Sequence, residues 1–393
     1  MSTLGQPSAP PPTETFFRKL MVAVAACVLL AVSVCLLAFV TTDKNVANRD
    51  FIEYWAAGQQ LLHGANPYDA DRIFALEHSA GMHAAKPTVM FNPPSGLFLT
   101  LPLGFVRPRT GFLLWSPFVL VAWMESIHLV RIMNGKPRNA LHFIGYFFAP
   151  ALACSSAGQM AAFVLLGLTL FLYFHRTRPL LAGAALMLCT LKPHLLLPFW
   201  AVLIPWAVTR KAYRLAAGAA MALAVSAVVP LFFDPSIYSQ YAAMSGTSGV
   251  KTAFIPTLSE LLRIAIAPNA FRLQFLPAFA GCIWAFWYFH RHRESWDWGR
   301  HGLLLIVVSF LVAPYAWYFD AVILLPSLLY AVYRVRFSAL SVLILLLVAA
   351  AVQMQLAVQP NSAWYLWPDI AWPAWYLWAM RPGRSSASVA SAA

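Results

Sequence analysis

Residues 20–40 read LMVAVAACVLLAVSVCLLAFV, and residues 41–58 continue TTDKNVANRDFIEYWAAG. The first stretch carries no charge, and at about 1.5 Å per helical residue it covers roughly 30 Å, the thickness of a hydrocarbon core. A cleaved leader would end in a small-residue site, which Thr41-Thr42-Asp43 does not supply. The reading is a membrane span that delivers the chain into a polar loop, 41–92. Six of the 14 carboxylates lie there: Asp43, Asp50, Glu53, Asp69, Asp71 and Glu77.

The rest of the chain repeats the alternation of oily runs and short polar connections. With 61% hydrophobic and 10% charged residues and a mean hydropathy of +0.67, it falls outside the range of soluble domains. The fold class is an all-α polytopic membrane protein. A net charge of +13 would suit a nucleic-acid partner if it formed a patch, but the basic residues are dispersed. They occur at Arg18/Lys19, Arg131/Lys136/Arg138, Arg176/Arg178, Arg210/Lys211/Arg214, Arg291/Arg293/Arg300, Arg334/Arg336 and Arg381/Arg384. That spacing follows the positive-inside rule and points to a plasma-membrane protein with both termini cytoplasmic and no nucleic-acid partner. Loops 41–92 and 233–271 then become extracytoplasmic.

This topology predicts about twelve crossings, with ten if short pairs fuse. Segments 180–191, 195–208, 302–313 and 321–333 are shorter than the usual ~17-residue span, so they are expected to be buried, kinked or re-entrant. Tails 1–15 and 382–393, rich in Pro, Ser, Thr and Ala, read as disordered around a transmembrane domain of 16–381. The five cysteines sit in apolar runs as small hydrophobes. No Cys/His spacing calls for a metal, and no nucleotide-binding loop is present.

On this topology the unusual polar residues collect at one level, the outer helix ends. They are Arg49, Asp50, Glu53 and Tyr54, with Tyr68 further along the same loop; Gln159 after Gly158; Lys192 and His194 around Pro193; and Tyr315, Trp317, Tyr318 and Asp320 after Pro314. Helix breaks at membrane depth survive where they line protein or a wet cavity, so these breaks argue for an outward-facing cavity. Each residue has two readings. Asp50 is either a base with a raised pKa or the N-cap of a helix starting at Phe51. Lys192 either faces an anion in a cavity or snorkels to the interface. Gln159 is either a ligand or an interhelical hydrogen bond, and Asp320 either a ligand or a cap. Trp364, Trp367, Trp372, Trp375 and Trp378 read as an interfacial aromatic belt. Glu125, His128 and Arg131 read as a polar pairing along one helix face.

The stretches Asp50-Phe51-Ile52-Glu53-Tyr54-Trp55-Ala56-Ala57-Gly58 with Gly64-Ala65-Asn66-Pro67-Tyr68, Phe91-Asn92-Pro93-Pro94 leading to Leu101-Pro102-Leu103, Gly158-Gln159, Lys192-Pro193 and Ala313-Pro314-Tyr315-Ala316-Trp317 carry a family resemblance. In this order they resemble the polyprenol-phosphate-dependent glycosyltransferases of family 87, the group containing membrane α-mannosyltransferases of phosphoinositol-mannoside synthesis. The resemblance implies a GT-C type membrane fold and a hexosyltransferase whose donor is a polyprenyl-phosphate sugar. It further implies a glycolipid or glycan acceptor, and an acid of the first extracytoplasmic loop as catalytic base. That role falls on Asp50. Related members often carry a Trp and a His pair after the late Pro; this chain has Trp317-Tyr318-Phe319-Asp320, so no histidine role is carried over.

Two other classes compete. A transporter or flippase of a lipid-linked solute would show repeated halves and charges near the midplane. A scaffold subunit would tolerate loss of Asp50. The polar residues gather on one face instead, which suits one-sided chemistry.

Overall fold

In a computed structural model, residues 41–247, 254–334, 339–358 and 362–381 are described. The 20–40 span, both tails and positions 248–253 lie outside them. Helix makes up 77% of the structure, and no strand occurs among the described residues. Three described helices are long and apolar enough to cross a bilayer: Pro108–Met133, Tyr213–Leu231 and Leu340–Val358. Shorter apolar helices, among them Ala161–Phe174 and Pro179–Cys189, fill the space between.

The segments that looked too short to span are separate short helices. Pro179–Cys189 ends before Lys192-Pro193, a Pro193–Leu196 turn follows, and a new helix, Leu197–Thr209, begins. Likewise Leu303–Leu311 is followed by a turn over Tyr318–Leu324 and then by Leu325–Arg334. The physical reason is proline: Pro193 and Pro314 have no amide proton and disfavour helix at the preceding residue. Loop 233–271 is also more ordered than its composition suggests, because it contains the helices Ile237–Thr247 and Leu258–Ile266.

Packing divides the surface by polarity. Phe118, Ile204, Met221, Phe279, Leu347 and Met354 are exposed large apolar side chains on the outer helices, as lipid-facing residues would be. The interior is aromatic, with Phe171, Phe199, Trp206 and Trp298 meeting edge to face or tilted at ring separations of 5.0–5.6 Å.

Two sequence readings change here. Trp372 and Trp375 are core residues, the first against Phe148 and the second donating its indole N–H to the Ser341 carbonyl at 2.9 Å. Only Trp364 and Trp378 of that set are exposed, because a helix packed on its neighbours buries one face. The Glu125–Arg131 pairing does not form either: Glu125 is exposed, and Arg131 donates to the Pro137 carbonyl at 3.3 Å.

The site is positioned by the helix Phe51–Leu62. It lies almost entirely buried, seated on the Leu101–Phe105 turn. Gly58 and Gly104 cross backbone to backbone there, and a Cβ on Gly58 would overlap the Thr100 carbonyl. Small residues at the crossing fix how deeply the N-terminus of this helix, and with it Asp50, enters the bundle.

Candidate active site

Asp50 immediately precedes the Phe51–Leu62 helix, at the N-cap position, with helical backbone angles, and its side chain makes no cap hydrogen bond. Its carboxylate reaches across the bundle instead, where Gln159 Nε2 donates to Asp50 Oδ2 at 2.7 Å. The capping alternative therefore fails. The side chain is committed to a long-range contact.

Gln159 owes its place to a turn. The helix Ala149–Ala157 stops at Gly158, whose φ of +73° suits glycine, and the Gln159 amide closes the turn on the Cys154 carbonyl at 2.9 Å. A new helix starts at once, at Ala161. The Gln159 side chain is thus held between two helix ends. Its Oε1 accepts from the Tyr54 hydroxyl at 2.8 Å and from Lys192 Nζ at 3.2 Å. One amide joins a carboxylate, a phenol and an ammonium.

Lys192 is buried rather than snorkelling, and its Nζ also donates to Asp320 Oδ1 at 2.6 Å. Asp320 Oδ2 accepts the Trp317 backbone N–H at 3.0 Å, so Asp320 caps its turn with one oxygen and pairs with Lys192 through the other. Burying an ion pair is compensated when the remaining hydrogen-bonding capacity is filled, as it is here on both oxygens.

Asn92, quoted above as part of a motif, ties the remaining motifs together. The Tyr68 hydroxyl donates to the Asn92 carbonyl at 3.2 Å, and Asn92 Nδ2 donates to the Leu191 carbonyl at 2.8 Å. The Pro67-Tyr68 turn is thereby anchored one residue from Lys192. Tyr68 also packs on Tyr241, at 5.3 Å between centroids. Beside Lys192, His194 stacks on Tyr315 at 3.9 Å. Gln274 Nε2 holds the turn below them through the Pro314 carbonyl at 2.6 Å.

Two expected residues make other contacts. Arg49 donates to the Asn45 carbonyl at 3.1 Å and to the Ser156 carbonyl, and its guanidinium lies over Phe112. The Trp317 side chain is exposed, and only its backbone faces the site. Glu53 is buried beside Asp50.

Burial pushes the Asp50 carboxyl up from its ordinary value, opposed by the Gln159 hydrogen bond and the Lys192 charge and assisted by Asp320. Burial, with the nearby Asp50 charge, raises Glu53 well above the usual carboxylate range. A half-buried acid of raised pKa, held by one amide, is the arrangement a general base needs.

One acid escaped the sequence reading. Asp369, on the C-terminal helix Leu366–Ala379, is 7% exposed and has no hydrogen-bond partner on either oxygen among the described residues. On the same face, Tyr365 stacks on Tyr318 at 4.6 Å and Trp372 meets Phe148 edge to face at 5.0 Å. That face abuts the turn carrying Asp320. A single acid in a tryptophan-rich run gives no spacing signal, so only packing reveals it.

No curated protein and no solved structure matches the chain. Residues 91–318 match the family model described as glycosyltransferase family 87. The match contains Asn92, Gln159, Lys192, His194, Tyr315 and Trp317; Asp50 lies 41 residues before its start, and Asp320 two residues past its end. It takes in 228 of the 393 residues, more than half of a helical, lipid-facing chain, and by that measure the chain belongs to glycosyltransferase family 87, a family of membrane glycosyltransferases.

Proposed function

We propose that this protein transfers a hexose, mannose or a close relative, from a polyprenyl-phosphate sugar to a lipid-linked or glycan acceptor on the extracytoplasmic face of the plasma membrane. The observation that carries the proposal is the hub at Gln159, which holds the Asp50 carboxylate at 2.7 Å and the Lys192 ammonium at 3.2 Å through opposite ends of one amide. A base for the entering hydroxyl and a cation for the departing phosphate thus stand one side chain apart.

The chemistry is a single displacement at the anomeric carbon. Asp50 takes the proton of the attacking acceptor hydroxyl, and a new C–O bond forms as the bond to the polyprenyl phosphate oxygen breaks. The phosphate leaves with the electron pair, and configuration inverts. Lys192 is the point charge nearest to hand for the developing phosphate anion. It acts from a fixed position because Asp320 holds it, which is the preorganisation that makes fixed charge effective. Arg49, aimed by the Asn45 and Ser156 carbonyls, is the second cation at the rim. Glu53, Tyr54, Tyr68, His194 and Tyr315 are the further candidate substrate contacts, and the His194–Tyr315 stack offers a flat face for a sugar ring. The overall architecture this implies is of GT-C type.

The donor class is tested with purified protein in lipid nanodiscs, offered synthetic polyprenyl-phosphate hexose or the matching nucleotide sugar, with total membrane lipids as acceptor. Transfer from the lipid-linked donor supports the reading. Transfer from the nucleotide sugar alone would overturn it, and facilitated movement of the lipid-linked sugar without transfer would favour a flippase.

A further inference from the structure

A cavity lies at the end of the bundle remote from Asp50. The helix Pro108–Met133 begins beside the site, where a Cβ on Gly111 would lie 3.2 Å from the Phe51 ring. It runs for 26 residues, about 39 Å at helical rise. At its far end Val130 and Met133 join the ends of Ala161–Phe174 and Leu325–Arg334 and the start of Leu303–Leu311 around a cavity of about 310 Å³.

Its lining is divided. Val130, Leu172, Leu303 and Pro326 are among its apolar lining residues, while Arg176 and Arg334 stand among the polar ones. The one carboxylate in the lining, Asp297, is held by Arg176 at 2.7 Å, which aims that guanidinium and spends the acid's charge. Arg334 lies over the Tyr330 ring at 5.3 Å and forms no ion pair among the described residues. Charge sidedness alone would place arginines at this end. It would not place them in the lining of a cavity beside Val130, Leu172 and Leu303.

We infer that this cavity binds the phosphate headgroup of an acidic membrane phospholipid, with the start of an acyl chain against Val130, Leu172 and Leu303. Guanidinium groups make charge-assisted, forked hydrogen bonds to phosphate oxygens, and Arg334 supplies the charge that is not already spent. Basic pockets between spanning helices are where such headgroups lodge. A bound lipid would bridge the ends of three helices and stabilise the bundle by mass action. The inference is independent of the transferase reading.

The test is native mass spectrometry of the full chain released from nanodiscs containing equal phosphatidylglycerol and phosphatidylcholine, beside Arg334→Gln and Arg334→Lys. The wild type is expected to retain one phosphatidylglycerol in preference to phosphatidylcholine. Arg334→Gln should lower that preference about tenfold, the loss of one charge-assisted phosphate bond, and Arg334→Lys should restore much of it. Equal retention of the two lipids by the wild type, or the same preference in Arg334→Gln, would overturn the inference. So would displacement of the lipid by millimolar inorganic phosphate, which would make the site one for a free anion.

Discussion

At the scale of the residue, Gln159 is the hinge of the account. It is an uncharged side chain whose two ends hold opposite charges, and its Nε2 donor steadies Asp50 in its ionised form. Gln159→Leu should therefore push the Asp50 pKa further up. The acid limb of the pH dependence of kcat/KM for transfer would move to higher pH, with kcat reduced about ten- to a hundred-fold. An unmoved acid limb in that variant would show that the hydrogen bond is structural only. Glu77 offers a prediction about stability. It is fully buried, accepts the Thr88 backbone N–H on both oxygens at 3.1–3.3 Å, and burial lifts its pKa from 4.5 to about 7. The folded protein thus holds this proton more tightly than the unfolded chain, so the contribution of Glu77 to stability is fully present below pH 4.5 and is lost as pH rises through about 7. Glu77→Gln should flatten that decline, recovering about 2 kcal/mol at neutral pH, as read from thermal unfolding at pH 5 and pH 8. Much of the site was legible at this scale. Acids and a lysine in an oily chain are costly enough to announce a purpose, and Asp50, Gln159, Lys192 and Asp320 do meet. Their partners were not legible, because contacts spanning 109 and 128 positions in sequence depend on packing that no local pattern encodes. For the same reason Asp369 was missed, and the contacts of Arg49 with the Asn45 and Ser156 carbonyls were not foreseen.

Among elements, the decisive pieces are turns. The Gly158 turn presents Gln159, the Lys192-Pro193 break presents Lys192, and the Pro314 break precedes Asp320. Gly158→Ala would force a Cβ into a left-handed residue, 3.0 Å from the Phe51 Cβ. The cost is about 1–2 kcal/mol of backbone strain, and Gln159 would shift against Asp50. Transfer is expected to fall more than tenfold while the helical circular dichroism stays unchanged. Loss of transfer accompanied by unfolding would assign Gly158 to folding instead. The breaks themselves were readable from Pro and Gly. What sequence could not foresee was that loop 233–271 would fold into helices, since Ile237–Thr247 has no strong amphipathic period and its order comes from contacts such as Tyr241 on Tyr68.

Across the whole molecule, the two ends differ in chemistry: one gathers acids, aromatics and amides, the other arginines. The proposed sidedness predicts that, on a cysteine-free background, His83→Cys reacts with an impermeant maleimide in intact cells, whereas Arg138→Cys reacts only after permeabilisation. The reverse labelling would invert the topology and move the site to the cytoplasm. The membrane class of the fold was evident from hydropathy alone. The number of crossings was not, because several helices are shorter than a bilayer is thick and take their place from their neighbours. The central claim, that Asp50 is the base of a lipid-sugar transfer, is met most directly by transfer of radiolabelled hexose from synthetic polyprenyl-phosphate hexose to membrane lipids, wild type beside Asp50→Asn. The account predicts transfer by the wild type and its loss in the folded variant, since an amide is isosteric but cannot take the proton. Equal transfer by both would contradict it.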